Sequence, residues 1–434
     1  MTEVPESRAE VLIIGAGVIG AGIALDMARA GHDVLVVDRS SAPGTGSTSS
    51  SAAIVRVHAG DAQTSAMADD ALTIWHDWAG FLDAPDGDQI ARFQHCGSLI
   101  LDPGDGSLRQ LEDAMTEADV EFERWTLDDT GQRFPYLDLH RFGPPRPVDD
   151  ESFWDDPEEM LAGAVYTDQS GYISDPSLAT VNMMDAARRA GSRVRMPATV
   201  AAIDVSGDRV TGVTLADGSR ILADVVIVAA GPHTGPMLAP IGATDDFGVA
   251  LLRIRTEEVH VAAPPGVDMT TQGVHLVDAD LNTNFRPEGT NAFHGGSNQG
   301  LPGEQTLLDD PDDFVPAVSA EGWERLTLRL ARRIPDLGIP RARSGIVGII
   351  DAAEDWVPVY DRTRYEGLFV AAGTSGSQFK VAPLVGRLMR HVVETTIEGH
   401  DHTTVPFRSP VGDRMFSTAV YSRTRSPFVG MARL

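Results

Sequence analysis

Residues 9–40 read AEVLIIGAGVIGAGIALDMARAGHDVLVVDRS. An apolar run, Val11 to Ile14, ends at Gly15-Ala16-Gly17-Val18-Ile19-Gly20. A helix of small residues follows to Ala30, Gly31 caps it, and a second apolar run, Val34 to Val37, stops at Asp38. Strand, glycine turn, helix and strand in this order form a βαβ unit with a phosphate-binding turn. Gly15 allows the tight turn, Gly17 lets backbone amides approach a pyrophosphate at the helix N-terminus, and Gly20 lets helix and strand pack closely. Asp38, 18 residues after Gly20, can accept hydrogen bonds from a ribose hydroxyl. The spacing gives a dinucleotide site without separating FAD from NAD.

The next stretch, APGTGSTSSSAAIVR at 42–56, has twelve of fifteen residues drawn from Gly, Ala, Ser, Thr and Pro. Small residues there let the backbone and the hydroxyls of Ser47, Thr48 and Ser50 approach a bulky planar ring. The run closes on Ile54, Val55 and a lone Arg56, which a flexible linker seldom does. Further on, 170–231 reads as a helix from Asp175-Pro176, a strand in GSRVRM, two alternating strands (199–205 and 209–215), and a buried strand DVVIVAAG ending at Gly231.

Composition bounds the rest. The chain has 434 residues, 42% hydrophobic and 23% charged, with a net charge of −28. That is a soluble chain too long for one ordinary domain, and its charge repels nucleic acid and anionic membrane surfaces. An anionic substrate would need positive charge supplied locally. One cysteine, Cys96, permits no intrachain disulfide and no thiolate metal cluster; its strand-like setting, FQHCGSLIL, reads as core. No metal site is expected. No signal peptide or membrane span is visible, and the expected location is the cytoplasm. The acidic stretch 148–160 reads as a solvated loop.

One lysine, Lys380, stands among 35 Lys plus Arg. It lies in GLFVAAGTSGSQFKVAPLVGRLMRHVVE, 367–394, which reads as a strand, a glycine turn, and a helix with Val381, Leu384, Leu388 and Val392 on one face. A helix N-terminus carries roughly half a positive charge and suits an anionic edge of a cofactor.

With these motifs together, the chain resembles the flavoprotein family of D-amino acid oxidase, sarcosine oxidase, glycine oxidase and dimethylglycine dehydrogenase, closest to the sarcosine oxidase side, from about residue 8 to about residue 410. The resemblance implies an α/β fold. A Rossmann-type FAD-binding domain (1–75, 161–245 and 341–399) would be interleaved with an antiparallel-sheet substrate-binding domain (76–160 and 246–340), followed by a tail, 400–434. It implies FAD contacts at Gly15, Gly17, Val18, Ile19, Gly20, Asp38, Arg39, Gly46, Ser47, Thr48, Val200, Ala230, Gly231, Gly373, Ser375, Gly376, Phe379 and Lys380. In sarcosine-type members the matching lysine binds the substrate carboxylate, and Arg56 matches a second carboxylate-binding arginine.

Two departures matter. Relatives that attach flavin covalently use a histidine where this chain has Ser47 to Ser51, or a cysteine where it has Gly348, so the expected FAD is non-covalent. The lysine that helps oxygen accept electrons in sarcosine-type oxidases has no counterpart; His294 is either the candidate for that charge or a satisfied structural histidine. Arg286, nearby, would reach the site or pair with Glu288. The expected reaction is oxidation of the C–N bond of an amino acid or N-alkyl amino acid, with electrons passing to oxygen or another acceptor. Oxidation of a 2-hydroxy acid, or a flavin-binding subunit of a larger oxidase, remain open. The tail is expected to pack on the body or on another subunit, which leaves room for a homo-oligomer.

Overall fold

The computed structural model describes residues 6–297 and 304–428. Its first sheet is built on the βαβ unit. Five strands run parallel in the order Arg193–Arg195, Val34–Val37, Glu6–Ile14, Arg220–Val228 and Leu368–Ala372, and Val359–Arg362 joins the edge antiparallel. The first half of Arg220–Val228 pairs antiparallel with Arg209–Leu215, which pairs with Val200–Ser206. Side-chain alternation along the first strand explains how both faces are covered. Val11 and Ile13 pack under the helices, while Leu12 and Ile14 join the cluster beneath the antiparallel strands.

Helix Val18–Arg29 is flanked by Pro176–Arg189 and Ala382–Ile397. The first and last of these cross at two glycines: a Cβ on Gly386 would lie 2.2 Å from the carbonyl oxygen of Gly22. The crossing brings the C-terminal glycine turn beside the N-terminal one.

The second sheet runs Thr306–Leu307, Leu251–Ala262, Ala292–Ser297, Thr283–Glu288, His275–Asp278, Ser98–Asp102, Gly163–Thr167 and Glu123–Trp125, with Gly345–Ala353 on the other side of Leu251–Ala262. It is antiparallel except where His275–Asp278 runs parallel to Ser98–Asp102. Helix Ala320–Arg333 closes its outer face with Leu326 and Leu330 against Phe285 and Phe293. Two strands grouped by sequence with the nucleotide-binding part, Gly163–Thr167 and Gly345–Ala353, pair in this second sheet instead. Chain order placed them next to nucleotide-binding segments, whereas strand pairing follows the long partners Ser98–Asp102 and Leu251–Ala262.

Candidate active site

A cavity of about 1020 Å³ lies between the C-terminal ends of the parallel strands and the second sheet. Crevices at that end of an open α/β sheet are where ligands bind, because strand order reverses there and helix N-termini point in.

At one end stands the first glycine turn. Gly15 has φ +112°, and a Cβ on it would lie 2.2 Å from the carbonyl oxygen of Ala229, so the two turns touch backbone to backbone. The N-cap of the following helix, Gly17, offers no side-chain cap, and the amide of Val18 donates to Thr48 Oγ1 at 3.1 Å. Asp38 accepts from the amides of Ala16 (2.7 Å) and Ser40 (2.8 Å), which fixes its carboxylate at the cavity wall. Arg39 also lines the wall, but its guanidinium pairs with Asp312 at 2.6 and 2.7 Å. That pair holds Asp312 down to about 2 and ties the strand end to the segment over the cavity. Gly46, Ser47, Thr48, Val200, Ala230 and Gly231 line this end as well. Ser47 and Ser50 donate their hydroxyls to the carbonyls of Ile349 (2.7 Å) and Val347 (3.1 Å). The small-residue stretch therefore bonds to the second sheet and presents backbone and lone pairs to the cavity.

At the other end the C-terminal turn has three left-handed residues, Gly373, Ser375 and Gly376. A non-glycine residue there needs support. Asp351 supplies it: its carboxylate accepts the amide of Gly373 at 2.7 Å and its carbonyl accepts the amide of Ser375 at 2.6 Å, while Ser375 Oγ donates to the carbonyl of Gly373 at 2.7 Å. Burial raises the Asp351 carboxyl to about 7 even though the amides of Gly373 and Thr374 pull it down. Gly20 and Gly373 stand behind the wall; Ser375, Gly376, Phe379 and Lys380 form part of it.

Lys380 is 2% exposed and makes no side-chain hydrogen bond or ion pair among the described residues. Its carbonyl accepts from Trp75 Nε1 at 2.6 Å, and Trp75 stacks on Phe379, so the Phe-Lys pair is held from below. Burial drives its amine well below the ordinary lysine value, and the charge of Arg56 pushes the same way. Arg56 lines the cavity with one hydrogen bond, to the carbonyl of His58 at 3.1 Å, and burial lowers it to about 10. The structure thus brings together two cations from opposite ends of the chain; among the described residues neither is hydrogen-bonded to a carboxylate, and Asp61, also on the wall, is the acidic group whose charge acts on Lys380. Buried cations in that state cost free energy and fit a missing anion.

Two histidines join them that the sequence reading did not single out. His275 lines the cavity, bonds Ser98 Oγ through Nδ1 at 2.7 Å, and is pushed down to about 3 by burial and the nearby cations. His58 is fully buried, stacked on His275 with ring centroids 6.3 Å apart, and is likewise kept neutral by burial first and Arg56 second. His58 sits two residues after Arg56 on the same extended stretch, the one sequence signal that pointed to it.

His294 is placed differently from the expectation. It is buried behind the cavity wall, contacts Glu258 through Nε2 and Arg286 through Nδ1 (3.1 Å), and does not itself line the cavity; Glu258 does. Arg286 pairs with Glu288 and donates to the carbonyl of Ala52 at 2.7 Å, so it bridges the second sheet and the small-residue stretch. Both side chains lie on the cavity-facing side of their paired strands, as Asn284 and Glu258 do, but each stands one residue back: Arg286 behind Ala52 and His294 behind Glu258. Cys96 is no nucleophile candidate: burial pushes its thiol up to about 12.

The donor set of this cavity is backbone amides at a helix N-terminus, glycine cradles that a Cβ would fill, and cations at the far end. It fits an extended, anionic, partly planar dinucleotide. Fold and cavity together define a dinucleotide-dependent enzyme of the two-sheet type. The chain belongs to the DAO family, described as FAD dependent oxidoreductase, whose sequence model matches residues 10–392. It is 25% identical to 4-methylaminobutanoate oxidase (formaldehyde-forming) of Paenarthrobacter nicotinovorans over 99% of this chain and 48% of that protein, so it spans about half of that relative's length. It is 26% identical to glycine oxidase of Geobacillus kaustophilus over 89% of this chain and 93% of that one. Among solved structures, L-proline dehydrogenase from P. horikoshii superposes with a TM-score of 0.75 at 19% identity, covering 97% and 98% of the two chains, a likeness of fold. No helix among the described residues is long and apolar enough to cross a membrane.

Proposed function

We propose that this oxidoreductase oxidises the C–N bond of a carboxylate-bearing amine, an amino acid or N-alkyl amino acid. The observation that carries the reading is the pair on the cavity wall, the buried Lys380 and the half-buried Arg56, neither hydrogen-bonded to a carboxylate among the described residues. The names of the glycine oxidase and 4-methylaminobutanoate oxidase relatives agree with that substrate class.

Bound FAD supplies the two-electron acceptor. The chain's part is positional. The first glycine turn and Asp38 would hold the nucleotide, Val200 and Ala230-Gly231 would flank it, and the turn Gly373 to Lys380 would meet the redox end. Arg56 and Lys380 would bind the carboxylate and so fix the carbon that loses hydrogen. The imine product reacts with water to give a carbonyl compound and an amine. Electrons pass to oxygen, giving hydrogen peroxide, or to another acceptor. Non-covalent attachment is supported by the serines at 47, 49 and 50 and by Gly348, whose Cβ, were there one, would meet Ser50 at 2.7 Å.

The test begins with the visible spectrum of the purified protein and of the supernatant after acid precipitation. Flavin bands released to the supernatant, followed by anaerobic bleaching with N-alkyl glycines but not with the matching neutral amines, are the expected result. Bleaching by 2-hydroxy acids alone would overturn the C–N assignment, and colour retained in the pellet would overturn non-covalent attachment.

A further inference from the structure

The family match ends at residue 392, yet the described chain beyond it, to residue 428, stays on the body. Arg414 pairs with Asp69 and Asp70 at 2.8 and 2.7 Å, and Gln63 exchanges bonds with the backbone of Ser417 at 3.0 and 2.8 Å. His402 Nε2 and the amide of Arg423 both meet Asp361 at 2.7 Å. Arg425 forms a two-pronged pair with Asp355 at 2.8 and 2.9 Å, and their side chains are 5% and 0% exposed. A segment tied down by this many desolvated contacts is part of the folded body.

Two of these ties end in the cavity. Tyr421 lines it directly; its ring packs on Tyr360 with centroids 5.3 Å apart, and Tyr360 donates to Gln378, two residues before Lys380, at 3.1 Å. Asp355 precedes Trp356, which also lines the cavity and sits in the left-handed region at φ +63°. A tryptophan holds that conformation only where its neighbours impose it. Arg425 pins the chain on both sides of Trp356 in sequence, bonding the carboxylate of Asp355 before it and the carbonyl of Pro358 (3.2 Å) after it. Met67, Val357 and Pro358 give this part of the wall its apolar surface, with Thr64 and the carboxylate of Asp61 at its edge.

We propose that the C-terminal segment is part of the substrate site. Tyr421 and the Arg425-held Trp356 wall a lobe beside Lys380 that receives the alkyl or aryl substituent of the carboxylate-bearing amine. The proposal rests on the carboxylate clamp: with the carboxylate held at Lys380 and Arg56, a substituent on the amine or its carbon is directed along this wall. Size selection then comes partly from Tyr421, outside the family's matched region, and partly from Trp356, which Arg425 of that outside segment holds.

The experiment uses the holoenzyme and the variants Trp356→Gly and Tyr421→Ala. Glycine suits the left-handed position, so the first removes the indole and relieves the backbone together. Dissociation constants for acetate, butanoate and phenylacetate are read from perturbation of the flavin spectrum, beside kcat/KM for N-methyl amino acids of increasing side-chain size. The expected result is a shift of at least tenfold in the ratio between the largest and smallest member, in both series. Carboxylates that bind every form with the same size profile would leave the clamp standing and overturn the lobe. Failure of all three carboxylates to bind wild type would overturn both. If Trp356→Gly does not retain FAD, Tyr421→Ala carries the same comparison.

Discussion

Lys380→Met isolates what the buried ammonium contributes. Methionine keeps most of the stem and removes the charge. In the folded protein the ammonium is already stripped of water, at 2% exposure, with Arg56 repelling it. The desolvation that usually cancels an ion pair has therefore been met before substrate arrives, and carboxylate binding recovers it. Truncating one partner of such a pair costs about 2–5 kcal/mol. That corresponds to roughly 30- to 5,000-fold in kcat/KM, at 1.4 kcal/mol per factor of ten. The assay compares an N-alkyl amino acid with its methyl ester in wild type and variant. The acid should lose at least thirtyfold and the ester much less, while flavin content stays the same. Equal losses on acid and ester, or near-normal turnover of the acid, would refute the clamp. The same burial gives a sign for pH. Lys380 has its folded value depressed, so carboxylate affinity is full at low pH and falls as pH rises through that value. The fall should begin well below the ordinary lysine range and disappear in Lys380→Met.

Gly386→Ala drives a methyl group into the carbonyl of Gly22 and should lower the melting temperature by several degrees, since overpacking costs about 1–3 kcal/mol. Gly131→Ala, whose added Cβ would meet only Leu139 at 3.6 Å and which lies away from the cavity, is the control for thermal stability. Asp351→Asn tests the buried carboxyl. Its folded value, about 7 against 3.8, means the native state holds a proton the unfolded chain has released, so stability falls as pH rises from 4 to 7. The limit of that effect is about 4 kcal/mol, and the asparagine variant should show a flatter melting temperature against pH.

The sequence by itself determined the nucleotide half. A glycine turn between two apolar runs is a local instruction: Gly15, Gly17 and Gly20 act within a few residues of one another, and the strand and helix they join follow from apolar periodicity alone. The lone lysine was legible too, because its glycine turn and amphipathic helix are contiguous. What tertiary structure decided is everything that depends on residues far apart meeting. The sequence could not show that Gly345–Ala353 pairs with Leu251–Ala262, since pairing is chosen between distant strands. It could not show that Ala52 and Glu258 would stand between the cavity and Arg286 and His294, since those neighbours come from distant parts of the chain. It gave no sign that His275 would stack on His58 beside the two cations, or that Asp351 would hold a left-handed serine. Least legible was the end of the chain, read as a tail packed on the body or on another subunit. Tyr421 reaches the cavity because Asp361, some sixty positions earlier, holds Ser422 and Arg423 beside it, and Arg425 meets Asp355 next to the cavity-lining Trp356.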